Sequence, residues 1–244
     1  MARDRLGALP HGGQIERPRL LDRLRRRFEV RLTTIVGGGG SGKTTLLTQA
    51  MADEAANVDI WYPCEPVDRS PDRLWAGLLA SCQRVLGGDA DAPEGDPVDQ
   101  IADLVLATSP RHVCLVLDDT QLLPGTDVLE ELLRCLPSNG HVLVSGRRTL
   151  DLPTARLDAA GQFVHVSQSD LMMTPDEIVE FANLRGIDAD ALRSAEGWPA
   201  FVELATRSHG SDPRSYLEQE ALDSLDVDRR RHLAALALVG GGDD

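Results

Sequence analysis

Eight consecutive residues, Gly37-Gly38-Gly39-Gly40-Ser41-Gly42-Lys43-Thr44, fit the pattern G-x-x-x-x-G-K-[ST] in full. Each residue type answers a physical need. Glycines let successive backbone N–H groups curl inward around phosphate oxygens with no Cβ in the way. A helix beginning at Lys43 adds the positive end of its dipole beneath the anion. Lys43 supplies a mobile cation for the β- and γ-phosphates, and the Thr44 hydroxyl is a ligand for Mg²⁺. Thr45 adds a second hydroxyl near the α-phosphate. The bland alternative is a glycine-rich turn carrying a surface lysine. Against it stand the strand before the motif, the helix after it, and the composition. Lys43 is the only lysine in the chain, all the other basic residues being arginine.

A second group complements the first. Cys114-Leu115-Val116-Leu117-Asp118-Asp119 is an apolar run closed by two acids. In a parallel sheet such a run delivers its carboxylates to the carboxyl edge, where ligands bind in open α/β folds. Asp118 reads as the acid on the Mg²⁺ side, acting through water because Mg²⁺ gives up its hydration reluctantly. Asp119 either orients and deprotonates an attacking water or caps the following turn. Guanine recognition through N/T-K-x-D needs a second lysine, and no D-x-x-G follows the P-loop at Asp118. The expected ligands are therefore ATP and ADP with Mg²⁺.

The pattern of the chain predicts the scaffold. Pro18 opens a helical stretch with Leu20, Leu21, Leu24 and Phe28 on one face. Residues 31–36 are β-branched and apolar, a strand broken by the glycines, and a helix runs from 43 to about 56. Strands at 59–62, 112–117, 141–145 and 162–166 alternate with helices at 71–86, about 98–107 and about 127–135. The acidic Gly/Pro stretch 87–97 reads as a surface loop. After Ser167 only helices follow, at 175–185, 189–196, 199–208, 213–225 and 228–239. Alternation and then helices predict an α/β P-loop NTPase with a mainly parallel sheet flanked by helices, followed by a small all-helical lid. The expected boundaries are a tail at 1–14, the α/β domain at 15–167 and the lid at 168–226.

Composition narrows the classes. With 244 residues and 42% hydrophobic content the chain buries a real core. A net charge of −14 makes the whole chain a poor partner for nucleic acid or an anionic membrane. The basic clusters at 23–31 and 229–231 lack interleaved stacking aromatics beyond Phe28, and Arg25–Arg27 read as a solvated helix face. Cys64, Cys82, Cys114 and Cys135 form no CxxC pair and read as reduced thiols. The six histidines have no metal-ligand spacing and read as turn or surface residues. The N-terminus lacks an apolar signal-peptide region, and the run at 233–239 is far too short to span a bilayer. A soluble, cytoplasmic chain is expected.

Segments beyond the P-loop carry a family resemblance. The sequence resembles the signal-transduction ATPases with numerous domains (STAND), in particular the nucleotide-binding module of large ATP-binding LuxR-type and SARP-type transcription activators. IERPRLLDRL is similar to their entry segment over adenine, which makes Arg17 and Pro18 candidate base contacts. DIWYPCEPVDRSPDRLWAGLLASC resembles their Trp strand and D-x-x-P-x-x-x-W helix, and LVLDDTQLL their acidic strand end. Val144-Ser-Gly-Arg147 is similar to a strand end bearing a sensor arginine, so Arg147, or its neighbour Arg148, is expected to report the γ-phosphate. LPTARLDAAGQFVHVSQSDLMMTPDEIVEFA is similar to their run into the lid, and Gly197-Trp198-Pro199 to a G-x-P element whose proline packs near the base. Two departures stand out. Thr120-Gln121 occupies positions where an aromatic and a histidine are often seen. The chain also stops where a winged-helix domain should begin, with 227–244 as its truncated start.

The resemblance implies an ATP-binding, slowly hydrolysing switch module of a multidomain transcriptional regulator. Its nucleotide state would control conformation and self-association, with the regulator's other domains as partners and no DNA binding by this fragment itself. The alternatives are a nucleotide-binding scaffold without significant hydrolysis and, third, a small-molecule P-loop kinase.

Overall fold

The computed structural model describes residues 14–52, 56–87 and 95–207. The helices expected at 213–225 and 228–239, the arginines at 229–231 and most of the acidic stretch 87–97 lie outside the described residues, as do residues 1–13.

Five strands form one sheet in the order β2-β3-β4-β1-β5: β1 Leu32–Val36, β2 Val58–Pro63, β3 Val113–Asp118, β4 Gly140–Gly146 and β5 Phe163–Val166. All four neighbouring pairs are parallel. The central strands β3 and β4 are buried at every position, which is why their sequences read as continuous apolar runs rather than alternations. Register brings Val36 opposite Gly146 and Pro63 opposite Asp118, so the strand ends that carry chemistry lie along one edge.

Helices cover both faces. Helices α3 (Pro71–Leu86), α4 (Pro97–Leu106) and α5 (Asp127–Cys135) bury Leu74, Leu78, Ile101, Val105, Leu129 and Leu132 against one face. Helices α1 (Pro18–Arg25), α2 (Lys43–Ala52) and α7 (Gln168–Leu171) bury Leu20, Leu24, Leu46, Leu47 and Leu171 against the other. The short helix α6 (Ala155–Ala159) lies between β4 and β5.

A third cluster holds the helical region together. Phe181 and Ala182 of α8 (Pro175–Arg185), Val202 of α9 (Pro199–Arg207), Met173, Leu192 and Ala195 pack together with Ile15 from the N-terminal segment. Helix α8 starts at a capping box in which Thr174 accepts from the Glu177 N–H, and it ends on Gly186 in the left-handed region. Residues Ala189–Ala195 form a 3-10 helix instead of the α-helix expected. This seven-residue stretch lies between Gly186 and Glu196, both in the left-handed region.

Two readings of single residues need correction. Arg27 does not lie on a solvated face: it is 1% exposed, pairs bidentately with Asp59 at 2.9 and 2.7 Å, and stacks over Phe28. Arg25 and Arg26 are exposed, as expected. His141 is not a surface residue either. It is buried, its Nδ1 bonds to the Val30 carbonyl at 2.7 Å, and its Nε2 faces His112 Nδ1 at 2.8 Å. All four cysteines are free thiols.

Candidate nucleotide-binding site

The turn from β1 to α2 shapes the site. Gly37 leaves the sheet with its N–H bonded to the Gly146 carbonyl at 3.1 Å, and the loop closes with Gly40 and Gly42 at positive φ. At Gly42 (φ 84°) an L side chain would be strained, so the pattern's second invariant glycine is a backbone requirement here. Lys43 is buried and folds back over the loop, donating to the Gly37 and Gly38 carbonyls at 2.7 and 2.9 Å. Those bonds hold the ammonium beneath the loop rather than in solvent, and they give a desolvated cation its hydrogen-bond partners.

Opposite the loop, Thr44 and Asp118 meet. The exposed Thr44 hydroxyl donates to Asp118 Oδ2 at 3.2 Å, and the Asp119 N–H donates to Asp118 Oδ1 at 3.1 Å. Burial raises the Asp118 carboxyl above the usual carboxylate range. The nearby Ser145 hydroxyl opposes that shift, the Asp119 charge adds to it, and the Thr44 and Asp119 donors again oppose it. Hard oxygen donors of this kind fit Mg²⁺. Among the described residues no group of three or more His, Cys, Asp or Glu is arranged to hold a metal. A divalent ion here would therefore lean on Thr44, Asp118, water and the substrate's own phosphates.

Asp119 follows in an unusual backbone state. Its φ of 59° and ψ of 41° put a non-glycine residue in the left-handed region, one that aspartate tolerates better than most. The turn exposes its side chain beside the strand ends, where Gln121 Nε2 donates to Oδ1 at 2.8 Å. Arg147 stands just after β4, half-buried, with its backbone N–H donating to Gln121 Oε1 at 3.0 Å. Arg148 is exposed.

The helical region closes onto the same loop. The Gly38 N–H donates to Gln168 Oε1 at 2.6 Å, and the Ala200 N–H to the Gly40 carbonyl at 3.0 Å. Trp198 packs so closely on Gly38 that a Cβ there would lie 3.1 Å from the indole, and Pro199 lies 3.7 Å from the Cβ position at Gly42. Gly197 makes the turn possible: its φ is 78°, and a Cβ there would strike the Met173 carbonyl at 2.6 Å.

Arg17 and Pro18 sit apart from these contacts. Pro18 is the exposed first residue of α1. The buried Arg17 guanidinium bonds to Glu177 at 3.1 Å and to the Met172 carbonyl at 2.8 Å. The contacts of Gln168, Gln121 and Glu177 leave no motif, because each is made with a partner distant in sequence or within a turn. Trp198, by contrast, stood within the quoted G-x-P element.

The AAA domain family matches residues 25–151, just over half of the chain and the whole span from the end of α1 past the β4 end. The chain belongs to the AAA domain family. Within curated proteins this AAA domain chain is similar to the HTH-type transcriptional regulator MalT of Cronobacter sakazakii (strain ATCC BAA-894), at 27% identity over 271 residues. That similarity takes in 94% of this chain but 30% of the relative's length. Among solved structures, a Signal Transduction ATPase with Numerous Domains (STAND) protein with a tetratricopeptide repeat sensor from Pyrococcus horikoshii superposes with a TM-score of 0.59 at 19% identity, over 92% of this chain and 34% of that one. The Aeropyrum pernix ORC1 protein, solved in complex with DNA, gives 0.55 at 15% identity over 96% and 76%. At such identities the structural likeness speaks for the fold. The AAA domain chain is a P-loop module whose fold is shared with that STAND protein and whose sequence is similar to part of MalT.

Proposed function

We propose that this AAA domain chain is an ATP-binding, slowly ATP-hydrolysing switch module of a larger transcriptional regulator. The observation that carries the reading is the double hold on the P-loop, by Lys43 from within and by Gln168, Trp198 and Ala200 from the helical region. A loop gripped by two parts of the chain changes its grip when phosphates fill it, and that is what a nucleotide switch requires.

The loop of residues 37–44, through the N–H groups that follow Gly37 and Gly38, and the Lys43 ammonium would hold the phosphates of ATP, with Thr45 at the α-phosphate and Pro199, Arg17 and Pro18 bordering the base. Thr44 and Asp118 would hold Mg²⁺, which when bound neutralises charge on the β- and γ-phosphates. Asp119 would accept a proton from the attacking water as the water oxygen bonds to the γ-phosphorus. The bond from phosphorus to the β,γ-bridging oxygen then breaks, its electron pair leaving on ADP. Arg147 would steady the γ-phosphate oxygens. A role in transcription draws on the similarity to the transcriptional regulator MalT, of which this chain spans less than a third, and control of self-association by the nucleotide state on the resemblance of its motifs to the STAND ATPases. The net charge of −14 speaks against DNA as a direct partner of this segment.

The test separates binding from turnover. Asp119→Asn should keep adenine-nucleotide affinity while lowering the hydrolysis rate by about two to four orders of magnitude, the usual worth of a general base. The second reading is a scaffold that binds without hydrolysing. It predicts no turnover in the wild-type chain and equal affinity in both proteins.

A further inference from the structure

The turn after β3 is pinned to the end of β4 by two adjacent side chains. Thr120 Oγ1 donates to the Ser145 carbonyl at 3.0 Å. Gln121 makes two bonds of opposite polarity: its Nε2 donates to Asp119 Oδ1 at 2.8 Å, and its Oε1 accepts the Arg147 N–H at 3.0 Å. The fit leaves little slack. A Cβ at Gly146 would lie 2.7 Å from Thr120 Oγ1 and 3.3 Å from Gln121 Oε1, so only glycine lets the two strand ends approach this closely. An amide meets this demand because it carries one donor and one acceptor at fixed separation. A carboxylate offers no donor to Asp119, and an aliphatic side chain of the same length offers neither bond. The bridge also bears on the backbone: Asp119 occupies the left-handed region, and the bond to its side chain helps fix the direction in which the carboxylate leaves the turn.

We infer that Gln121 is a positioning residue for ATP hydrolysis, holding the Asp119 carboxylate in register with the β4 end that carries Arg147. The inference rests on the reading of Asp119 as the group that takes the water's proton. Gln121 touches neither phosphate nor base in this role; it sets where Asp119 points and couples that direction to movement of the Arg147 backbone. Reaction rates are steep functions of such placement, so its loss falls on turnover rather than on affinity.

The experiment measures steady-state ATP hydrolysis and direct ATP binding for the full chain and four variants: Gln121→Ala, Gln121→Glu, Asp119→Asn and the double variant Gln121→Ala/Asp119→Asn. Gln121→Glu keeps the acceptor for the Arg147 N–H but sets a negative charge against Asp119, which isolates the carboxylate half of the bridge. Should alanine loosen the turn, Gln121→Met keeps the length and apolar stem without either hydrogen bond. The expected result is a kcat lowered about ten- to a hundredfold in both single Gln121 variants. KM and the dissociation constant should stay within about twofold, and the alanine change should add no further loss in the Asp119→Asn background. A kcat unchanged in Gln121→Ala while Asp119→Asn abolishes turnover overturns the inference and leaves the Asp119 reading standing. A rise in KM or affinity loss in place of the kcat effect, or an undiminished effect in the Asp119→Asn background, marks a merely structural role and also overturns it. Normal turnover in Asp119→Asn, or none in the wild-type chain, overturns the Asp119 reading and this inference with it.

Discussion

A carboxylate withdrawn from water becomes a weaker acid unless donors replace its hydration. Asp118 has the Thr44 hydroxyl and the Asp119 N–H, yet its pKa still lies above the usual range because burial and the neighbouring Asp119 charge outweigh them. The sign follows from linkage. With the folded pKa above the unfolded one, the folded state loses stability as pH rises from the unfolded value through the folded one. Asp118→Asn should therefore stabilise the nucleotide-free protein at pH 7 by about 1 kcal/mol, read as a melting temperature higher by roughly 2–4 °C. The same change should weaken binding of MgATP more than binding of ATP in chelator. A lower melting temperature would show that the acid serves the fold. Cys64 lies under related influences, its thiol pushed well up by burial and by the Asp68, Asp118 and Asp119 charges, which makes it a poor nucleophile beside the site.

At the scale of elements, the N-terminal segment fastens the helical region to the sheet. Arg17 and Arg19 both grip Glu177, at 3.1 and 2.8 Å, and both reach the Met172 carbonyl, while Ile15 enters the helical core and its carbonyl accepts from Gln49 of α2. Arg23 adds the His165 carbonyl and Asp170. Glu177→Ala leaves Arg17 buried without its counter-ion, and breaking such a pair costs about 3 kcal/mol. Denaturant unfolding should show a lower midpoint, with proteolysis appearing first in the region of α8. An unchanged midpoint would mean that the Met172 carbonyl suffices to hold Arg17. Much of this level was legible in the sequence. The P-loop stood out by its spacing, the strands by apolar runs, and α8 as a helical run opening at Pro175. The arginine clasp was not legible, because pairing between residues about 160 positions apart leaves no local pattern. Arg27 misled for the same reason: an arginine on a helix reads as solvated until Asp59 arrives from another strand. The Gln121 bridge escaped as well, since its length of three residues gives no periodicity and its second partner lies 26 residues away.

The whole molecule combines a parallel sheet, covered on both faces, with a helical region resting on its phosphate loop. Apart from Asp118, whose raised pKa works in the opposite sense, its shifted groups should lower stability in two steps on acidification. Burial lowers the pKa of His141, with the Val30 carbonyl opposing and the His112 and Arg31 charges adding. The unfolded chain therefore takes up a proton below about pH 6.5 that the fold resists, and stability declines from there toward the lowered folded value. The carboxylates act later. Burial works against Asp170, but the Ser167 N–H and hydroxyl together with Arg23 hold it at about 2, and the two arginines and the Thr174 N–H hold Glu177 down in the same sense. Their stabilisation is full above about pH 4.3 and is lost as pH falls through the lowered folded values, about 2 for Asp170. Unfolding midpoints measured from pH 8 to 3 should show both declines, and His141→Gln should flatten the upper one; a flat curve between pH 7 and 5 in the wild type would contradict this. The central claim is adenine-nucleotide binding at the P-loop. Calorimetric titration with ATP, ADP and GTP in the presence of Mg²⁺, on the wild-type chain and Lys43→Ala, tests it most directly. The account predicts tight ATP and ADP binding, weak GTP binding, and a loss in the variant of about 1.5–3 kcal/mol, roughly tenfold to more than a hundredfold in affinity. Equal affinity in the two proteins, or no binding by a folded wild-type chain, would contradict it.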